Sequence, residues 1–255
     1  MSKFMKYCQI PVSSYGINSP SDVFAIDIKQ NLEGCEFICN CNDEVMIVKS
    51  SFTGEFNVQN ILAAISCASA LGIDKNVIVR EIKYAPPVEG RFNVISQNDI
   101  KVIIDFAHTP DGLEKIIKNV KSLTNGRVIT VFGCGGNRDA KKRPVMGKIA
   151  TSLSDYCVFT SDNPRFEQPL SIIKDIEAGA VNQNYIVEPN RSVAIKRALD
   201  EAKEGDSVII AGKGAEKYQE IGGEKHPYDD YSEVYNYFRE HLQVLEGVKQ
   251  SEFKR

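Results

Sequence analysis

The chain lacks several signatures that would assign it quickly. It has no basic field: 31 lysines and arginines face 34 aspartates and glutamates, giving a net charge of −3. Such a balance offers nothing to a polyanion and argues against nucleic acid as a partner. No apolar run approaches the length of a membrane span, so a membrane partner is not expected either. The opening Met1-Ser2-Lys3-Phe4-Met5-Lys6 has no apolar leader core, and the expected compartment is cytoplasmic. Cysteine use agrees with that compartment. Cys8, Cys35, Cys67, Cys134 and Cys157 are scattered, and the close pair Cys39 and Cys41 has no second pair or neighbouring histidines to complete a zinc site. There is no internal repeat or low-complexity tract. What is present is 42% hydrophobic and 25% charged residues in 255 positions, enough for one large or two modest domains.

Two regimes follow one another along the chain, and the change falls at Ala85-Pro86-Pro87-Val88-Glu89-Gly90. Before it, Val23 to Ile28, Glu36 to Cys39 and Val45 to Val48 read as short strands, the last two joined through the turn formers Asn40 to Asp43. Val58, Ile61, Leu62, Ile65 and Ala68 then recur at helical spacing, and a second helix follows Gly72 to about Tyr84. A small sheet and a helix pair are a thin core for this length, so the segment reads as the tail of a domain whose beginning is missing.

After Gly90 strands and helices alternate. The pattern predicts strands at 102–105, 128–132, 156–160, 185–187 and 207–210. Helices are expected at 110–123, 144–153, 170–178, 191–202 and from about Asp230. This is an α/β fold with a mostly parallel sheet flanked by helices. Leu113, Ile116, Ile117 and Val120 form one apolar helix face, with Thr109 as N-cap and Pro110 in the first turn. Asn190 caps the face of Ala194, Ile195, Ala198 and Leu199.

Four polar clusters fall just after carboxyl ends of these strands: residues 105–111, 133–139, 162–165 and 211–216. In open α/β sheets that rim is where ligands sit, so the four together argue for a composite site. The segment Thr160-Ser161-Asp162-Asn163-Pro164-Arg165 carries the clearest chemistry. A guanidinium takes a carboxylate bidentately, while Asp162 and the side-chain oxygen of Asn163 can accept from an ammonium group. Taken singly, each cluster has a plainer reading: a surface salt bridge in an acidic turn, Asp105 as a cap, His108 as a satisfied turn histidine, the glycines as tight strand-to-helix connections.

Glycine-rich turns can bind phosphate through backbone N–H groups, but Gly133-Cys134-Gly135-Gly136 does not have dinucleotide-fingerprint spacing. The Gly-Lys pairs at 147–148 and 212–213 are followed by Ile149 and Gly214, so no Gly-x-x-x-x-Gly-Lys-Ser/Thr loop is present in the chain. A nicotinamide oxidoreductase is correspondingly disfavoured.

The order of motifs is more specific than any one of them. Asp-Phe-Ala-His-Thr-Pro-Asp at 105–111, Phe-Gly-Cys-Gly-Gly-Asn-Arg-Asp at 132–139, Lys-Arg-Pro at 142–144, Thr-Ser-Asp-Asn-Pro-Arg at 160–165 and Ala-Gly-Lys-Gly at 211–214 closely resemble the Mur ligase family. Within that family they resemble the MurE type, the UDP-N-acetylmuramoyl-tripeptide synthetases of peptidoglycan assembly. Gly54-Glu55-Phe56-Asn57-Val58-Gln59-Asn60 and Gly90-Arg91-Phe92 extend the resemblance over nearly the whole chain.

The resemblance implies that residues 1–89 are the last part of a central ATPase domain and residues 90–255 a Rossmann-like C-terminal domain that brings in the amino acid. It further implies that the phosphate loop and magnesium ligands are missing, as in a truncated product or one half of a split gene. A complementary chain would then carry the missing domains. ATP and Mg2+ are the expected cofactors, and meso-diaminopimelate and UDP-MurNAc-L-Ala-D-Glu the expected substrates. By the same resemblance Asn60, Arg91, Asp105 and His108 lie near the nucleotide. Arg138, Asp162, Asn163, Arg165, Gly212 and Glu216 match positions that hold the amino acid. Arg165 points to diaminopimelate over lysine, whose far end has no carboxylate to offer a guanidinium. One position departs from the family pattern: Ala215 stands where a histidine is usual. The alternative is a non-catalytic module that binds an amino acid or nucleotide.

Overall fold

The computed structural model describes residues 7–252, with side chains described to residue 241. The chain divides into two compact units, residues 1–87 and 88–255.

The first unit holds a sheet of β1 (Tyr15–Ile17), β2 (Val23–Asn31), β3 (Gly34–Cys41) and β4 (Glu44–Ser50) in that order, β1 parallel to β2 and the rest antiparallel. Two helices follow, α1 (Glu55–Ala70) and α2 (Lys75–Tyr84). Alternation in β3 sends Cys35, Phe37, Cys39 and Cys41 to one face, where they meet Val23, Ala25 and Val48 and the helical Val58, Leu62 and Ile65. These residues form a closed core, so the segment does enclose apolar surface of its own. Ile26, Val45 and Ile47 on the sheet's other face stay exposed, at 40%, 63% and 59%.

The second unit is built on a six-stranded sheet ordered β5-β6-β10-β7-β8-β9. Its members are β5 (Asn93–Gln97), β6 (Ile100–Asp105), β7 (Val128–Phe132), β8 (Tyr156–Phe159), β9 (Tyr185–Val187) and β10 (Ser207–Ala211). All pairings are parallel except β5 with β6. Strands β7 and β10 are buried along their whole length, as mostly apolar central strands of a parallel sheet should be. The helices are α3 (Pro110–Leu123), α4 (Lys142–Leu153), α5 (Pro169–Glu177), α6 (Arg191–Glu201) and α7 (Asp230–Glu252). Thr109 and Asn190 cap α3 and α6 by accepting from Gly112 N and Val193 N, and the two apolar faces expected from periodicity are buried.

Four strands are additions to the sequence reading: β1, β5 and the hairpin β11 (Tyr218–Ile221) and β12 (Glu224–Pro227). Two-residue turns with positive φ at both centres join three of these strands into hairpins, Asn98-Asp99 between β5 and β6 and Gly222-Gly223 between β11 and β12. That geometry matches strand twist, and Asn, Asp and Gly are the residues that tolerate it.

One ion pair lies at the centre of this unit. Arg191 Nε and Nη2 donate to Asp230 Oδ1 and Oδ2, each at 2.8 Å, and both side chains are fully buried. Burial opposes the guanidinium charge, but the Asp230 carboxylate more than offsets it and holds the pKa above its ordinary value. Removing one partner would strand a buried charge, so Arg191→Met should cost about 3–5 kcal/mol, read as a lower urea midpoint at unchanged m-value.

Asp206 supplies a pH-dependent contribution. Burial raises its pKa, yet N–H donors from Arg127 and Lys203 and the Arg127 guanidinium outweigh that and leave it lowered. A carboxyl with a depressed folded pKa stabilises the fold above its unfolded value of about 4 and loses that contribution as pH falls through the folded one. The stability gap between the unaltered chain and Asp206→Asn, measured by urea unfolding, should therefore be largest near pH 7 and shrink below about pH 4.

Candidate functional site

Three loops of the second unit converge at the carboxyl ends of β7, β8 and β10. The loop after β7 meets the loop after β8 through backbone: Gly136 N donates to Asn163 O at 2.8 Å. A Cβ on Gly136 would fall 1.9 Å from Pro164 O, so only glycine permits this approach. The glycines here therefore serve close packing of chain on chain. Cys134, within the same loop, is buried, and burial pushes its thiol up to about 12, which disfavours the thiolate near neutral pH.

Arg143 locks the two loops together. Its Nη1 and Nη2 donate to Glu167 Oε2 and Oε1 at 2.9 Å each, Nη1 also reaches Asp175, and Glu167 in turn accepts from Asn137 N. The Lys-Arg-Pro motif thus contributes a loop staple, a role its sequence position did not reveal.

Arg165 and Arg138 flank Gly135. A point at the Cβ position of Gly135 lies 3.0 Å from Arg165 Nη1 and 3.8 Å from Arg138 Cγ. Arg138 is exposed, its Nη1 donating at 3.4 Å to Asn137 O. Arg165 is held: Nη1 donates to Gly136 O at 2.8 Å, and Nε pairs with Glu220 Oε2 at 3.0 Å. The guanidinium therefore already has a counter-charge within the fold. A cation with only 18% of its side chain exposed draws a carboxylate from the neighbouring hairpin.

Asp162 and Asn163 lie one layer deeper, and both are buried. Asp162 Oδ1 accepts from Asn163 N at 2.6 Å, and its Oδ2 would lie 2.7 Å from a Cβ on Gly212, a residue with φ of 121°. Gly212 thus gives the carboxylate room beside the end of β10. The Asn163 side chain is not open as the sequence suggested. Its Oδ1 already accepts from Lys213 Nζ at 2.8 Å and from Glu220 N at 3.0 Å, while Nδ2 donates to Glu216 Oε2 at 2.9 Å. The reason is Lys213, a fully buried side chain whose N–H groups require acceptors. Glu216 is one-quarter exposed, so it is the carboxylate of this group with an open side.

Arg91, Phe106 and His108 make a second group on the same unit. The Arg91 guanidinium lies over the Phe106 ring at 4.7 Å, and the His108 ring meets Phe106 edge-on at 4.6 Å. Asp105 sits below them with both oxygens engaged, Oδ2 with Phe92 N at 2.8 Å and Oδ1 with Ala107 N at 2.7 Å. It is a cap of its own turn, as the plainer reading had it. Burial pushes its carboxyl above the usual range despite those two donors. His108 Nδ1 is 2.8 Å from Phe106 O. Ala215 is exposed. Asn60 belongs to the first unit, exposed on α1 with its amide 3.3 Å from Asn57 Oδ1.

Among the described residues no three histidine, cysteine, aspartate or glutamate side chains gather as they would to hold a metal. No described helix is long and apolar enough to cross a membrane. All seven cysteines are free.

Two family models match in succession, the Mur ligase middle domain over residues 2–68 and the Mur ligase, glutamate ligase domain over residues 90–214. A UDP-N-acetylmuramoyl-L-alanyl-D-glutamate--2,6-diaminopimelate ligase of Clostridioides difficile (strain 630) is 43% identical over 231 residues, covering 89% of this chain and 47% of that protein. The ligase of the same name numbered 2 in Clostridium acetobutylicum is 46% identical over 220 residues, covering 85% of this chain and 46% of its own length. A solved structure of a ligase with the same name superposes with a TM-score of 0.68 at 34% identity, covering 90% of this chain and 48% of that one. The chain spans about half the length of the curated relatives it matches. By its two matched domains and by these relatives, the chain belongs to the Mur ligase family, and within it to the MurE type.

Proposed function

We propose that this chain is the amino-acid-delivering portion of an ATP-dependent ligase that adds meso-diaminopimelate to UDP-MurNAc-L-Ala-D-Glu in the cytoplasm, in peptidoglycan synthesis. In this reading residues 1–89 are the C-terminal part of the central ATPase domain and residues 90–255 the amino-acid-binding domain. The observation that carries it is the pairing of Arg138 and Arg165 about Gly135 with the open carboxylate of Glu216 on the same rim. Guanidinium and carboxylate groups on one rim suit a substrate with ammonium and carboxylate at both ends.

The reaction supplies reasons for these residue types. ATP transfers its terminal phosphoryl group to the D-Glu side-chain carboxylate, leaving ADP and an acyl phosphate. The diaminopimelate amine attacks the acyl carbon, the C–N bond forms, and phosphate leaves with the C–O bond's electron pair. The amine proton passes to solvent or a base that these residues do not single out. Such chemistry is governed by positioning and charge stabilisation. Arg138, Arg165 and Glu216 would orient the amino acid, with Asp162, Asn163 and Gly212 shaping the floor beneath it. Arg91, Phe106 and His108 offer stacking and donor groups to a nucleotide, and Asp105 braces their turn. Asn60, on the first unit, is assigned to the nucleotide by the family resemblance alone. The phosphate loop has to come from outside these residues, either from more of the same polypeptide or from a complementary chain. Mg2+ would come with the nucleotide.

Isothermal titration should show meso-diaminopimelate binding at least about tenfold more tightly than L-lysine, since Arg165 gains a carboxylate only from the former. Arg165→Ala should abolish that preference, and equal affinities in the unaltered chain would refute the substrate assignment. A phosphate-release assay with ATP, UDP-MurNAc-dipeptide and meso-diaminopimelate should show turnover only when a fragment bearing the phosphate loop is added. Turnover by the chain alone would overturn the need for that fragment. Amino-acid binding with no turnover in either mixture would favour a non-catalytic binding module.

A further inference from the structure

Lys213 lies at the rim, and the substrate reading gives it no task. Its side chain is fully buried at the turn after β10. Its three N–H donors meet three acceptors from three segments: Tyr218 O at 2.7 Å, Asn163 Oδ1 at 2.8 Å and Glu216 Oε2 at 3.2 Å. The rings of Tyr218 and Tyr228 lie 5.6 and 5.8 Å from Nζ. A buried amine this fully satisfied has no donor left for a ligand and no path to one.

Its effect passes through Asn163. A primary amide can present either its oxygen or its nitrogen, and which one faces a neighbour is decided by that neighbour's hydrogen bonds. Two donors, Lys213 Nζ and Glu220 N, face Asn163 Oδ1, and this turns Nδ2 toward Glu216 Oε2 at 2.9 Å. Glu216 Oε2 thus takes hydrogen bonds from both Asn163 and Lys213, and no described donor reaches its Oε1. One oxygen anchors the carboxylate and the other is presented.

We infer that Lys213 is a positioning residue of the amino-acid site: it fixes the Asn163 amide and one Glu216 oxygen so that the other Glu216 oxygen is held ready for a substrate ammonium group. This rests on the reading of the rim as a diaminopimelate site. The same lysine reaches Arg165 indirectly, because Asn163 Oδ1 also holds the backbone of Glu220, whose carboxylate pairs with Arg165 Nε.

The test is a double-mutant cycle on the full chain, with meso-diaminopimelate affinity measured by titration calorimetry and folding checked by thermal melting. Lys213→Met and Glu216→Gln should each weaken binding about tenfold, and the double variant should lose little more than either alone, because the two act as one unit. Independent losses multiplying to about a hundredfold would overturn the inference, as would undiminished binding by Lys213→Met. If Lys213→Met does not fold, the unaltered chain is labelled with 15N at lysine Nζ and titrated with meso-diaminopimelate. The slowly exchanging Nζ signal, assigned through its Tyr218 and Tyr228 contacts, should shift on binding; an unmoved signal alongside binding seen by calorimetry would overturn the inference. No binding by the unaltered chain would overturn the site reading itself, and this inference with it.

Discussion

The buried pair of Arg191 and Asp230 is the interaction on which the second unit depends. Its two carboxylate bonds fasten the first residue of α6 to the first residue of α7. The remaining guanidinium donors reach Ser161 O at 3.4 Å and Ala211 O at 3.2 Å, the chain just past β8 and the last residue of β10. Those two points are where the Asp162–Arg165 and Gly212–Glu216 segments begin. A charge pair removed from water carries a large desolvation cost, so its value lies less in net stability than in the single arrangement it tolerates. Every carbonyl and carboxylate around it has to be in place at once.

A second layer of charge built on that frame fixes the loops themselves. Arg143 joins the β7 loop to Glu167 and α5, Lys213 joins the β10 turn to Asn163 and the β11 strand, and Arg165 joins the β8 loop to Glu220. Each of these cations is largely buried and each has its carboxylate or carbonyl partners from a different segment. The outcome is a rim whose polar groups are mostly committed to one another, with Arg138 and one edge of Glu216 still facing outward. Preorganisation of this kind lets a site bind a charged amino acid without reordering its own side chains.

The first unit shows a different economy. Its core is made by one face of a small sheet against two helices, and Ile26, Val45 and Ile47 remain on the opposite face. A concavity of about 490 Å³ in this unit, bordered by Lys29, Lys49 and Lys83, contains none of the residues assigned to nucleotide or amino acid.

Much of this architecture was legible from local patterns, because helix faces, caps and buried strands follow from the period of apolar residues and the chemistry of chain ends. Thr109, Asn190 and the face of Leu113, Ile116, Ile117 and Val120 are cases where near neighbours in sequence decide the structure. The loops bearing Arg138, Asp162, Asn163, Arg165, Gly212 and Glu216 were also marked, since ordered motifs after strand ends carry positional information. The partners of those side chains were not. Arg165 with Glu220, Asn163 with Lys213 and Arg143 with Glu167 join residues that are 55, 50 and 24 positions apart, as required by segments brought together only when the sheet assembles. Residue types along the chain thus determined which elements form and which loops hold the charged groups. Tertiary packing decided which of those groups are consumed in holding one another and which remain for a ligand, because burial obliges each polar atom to find whatever partner the fold has brought within reach.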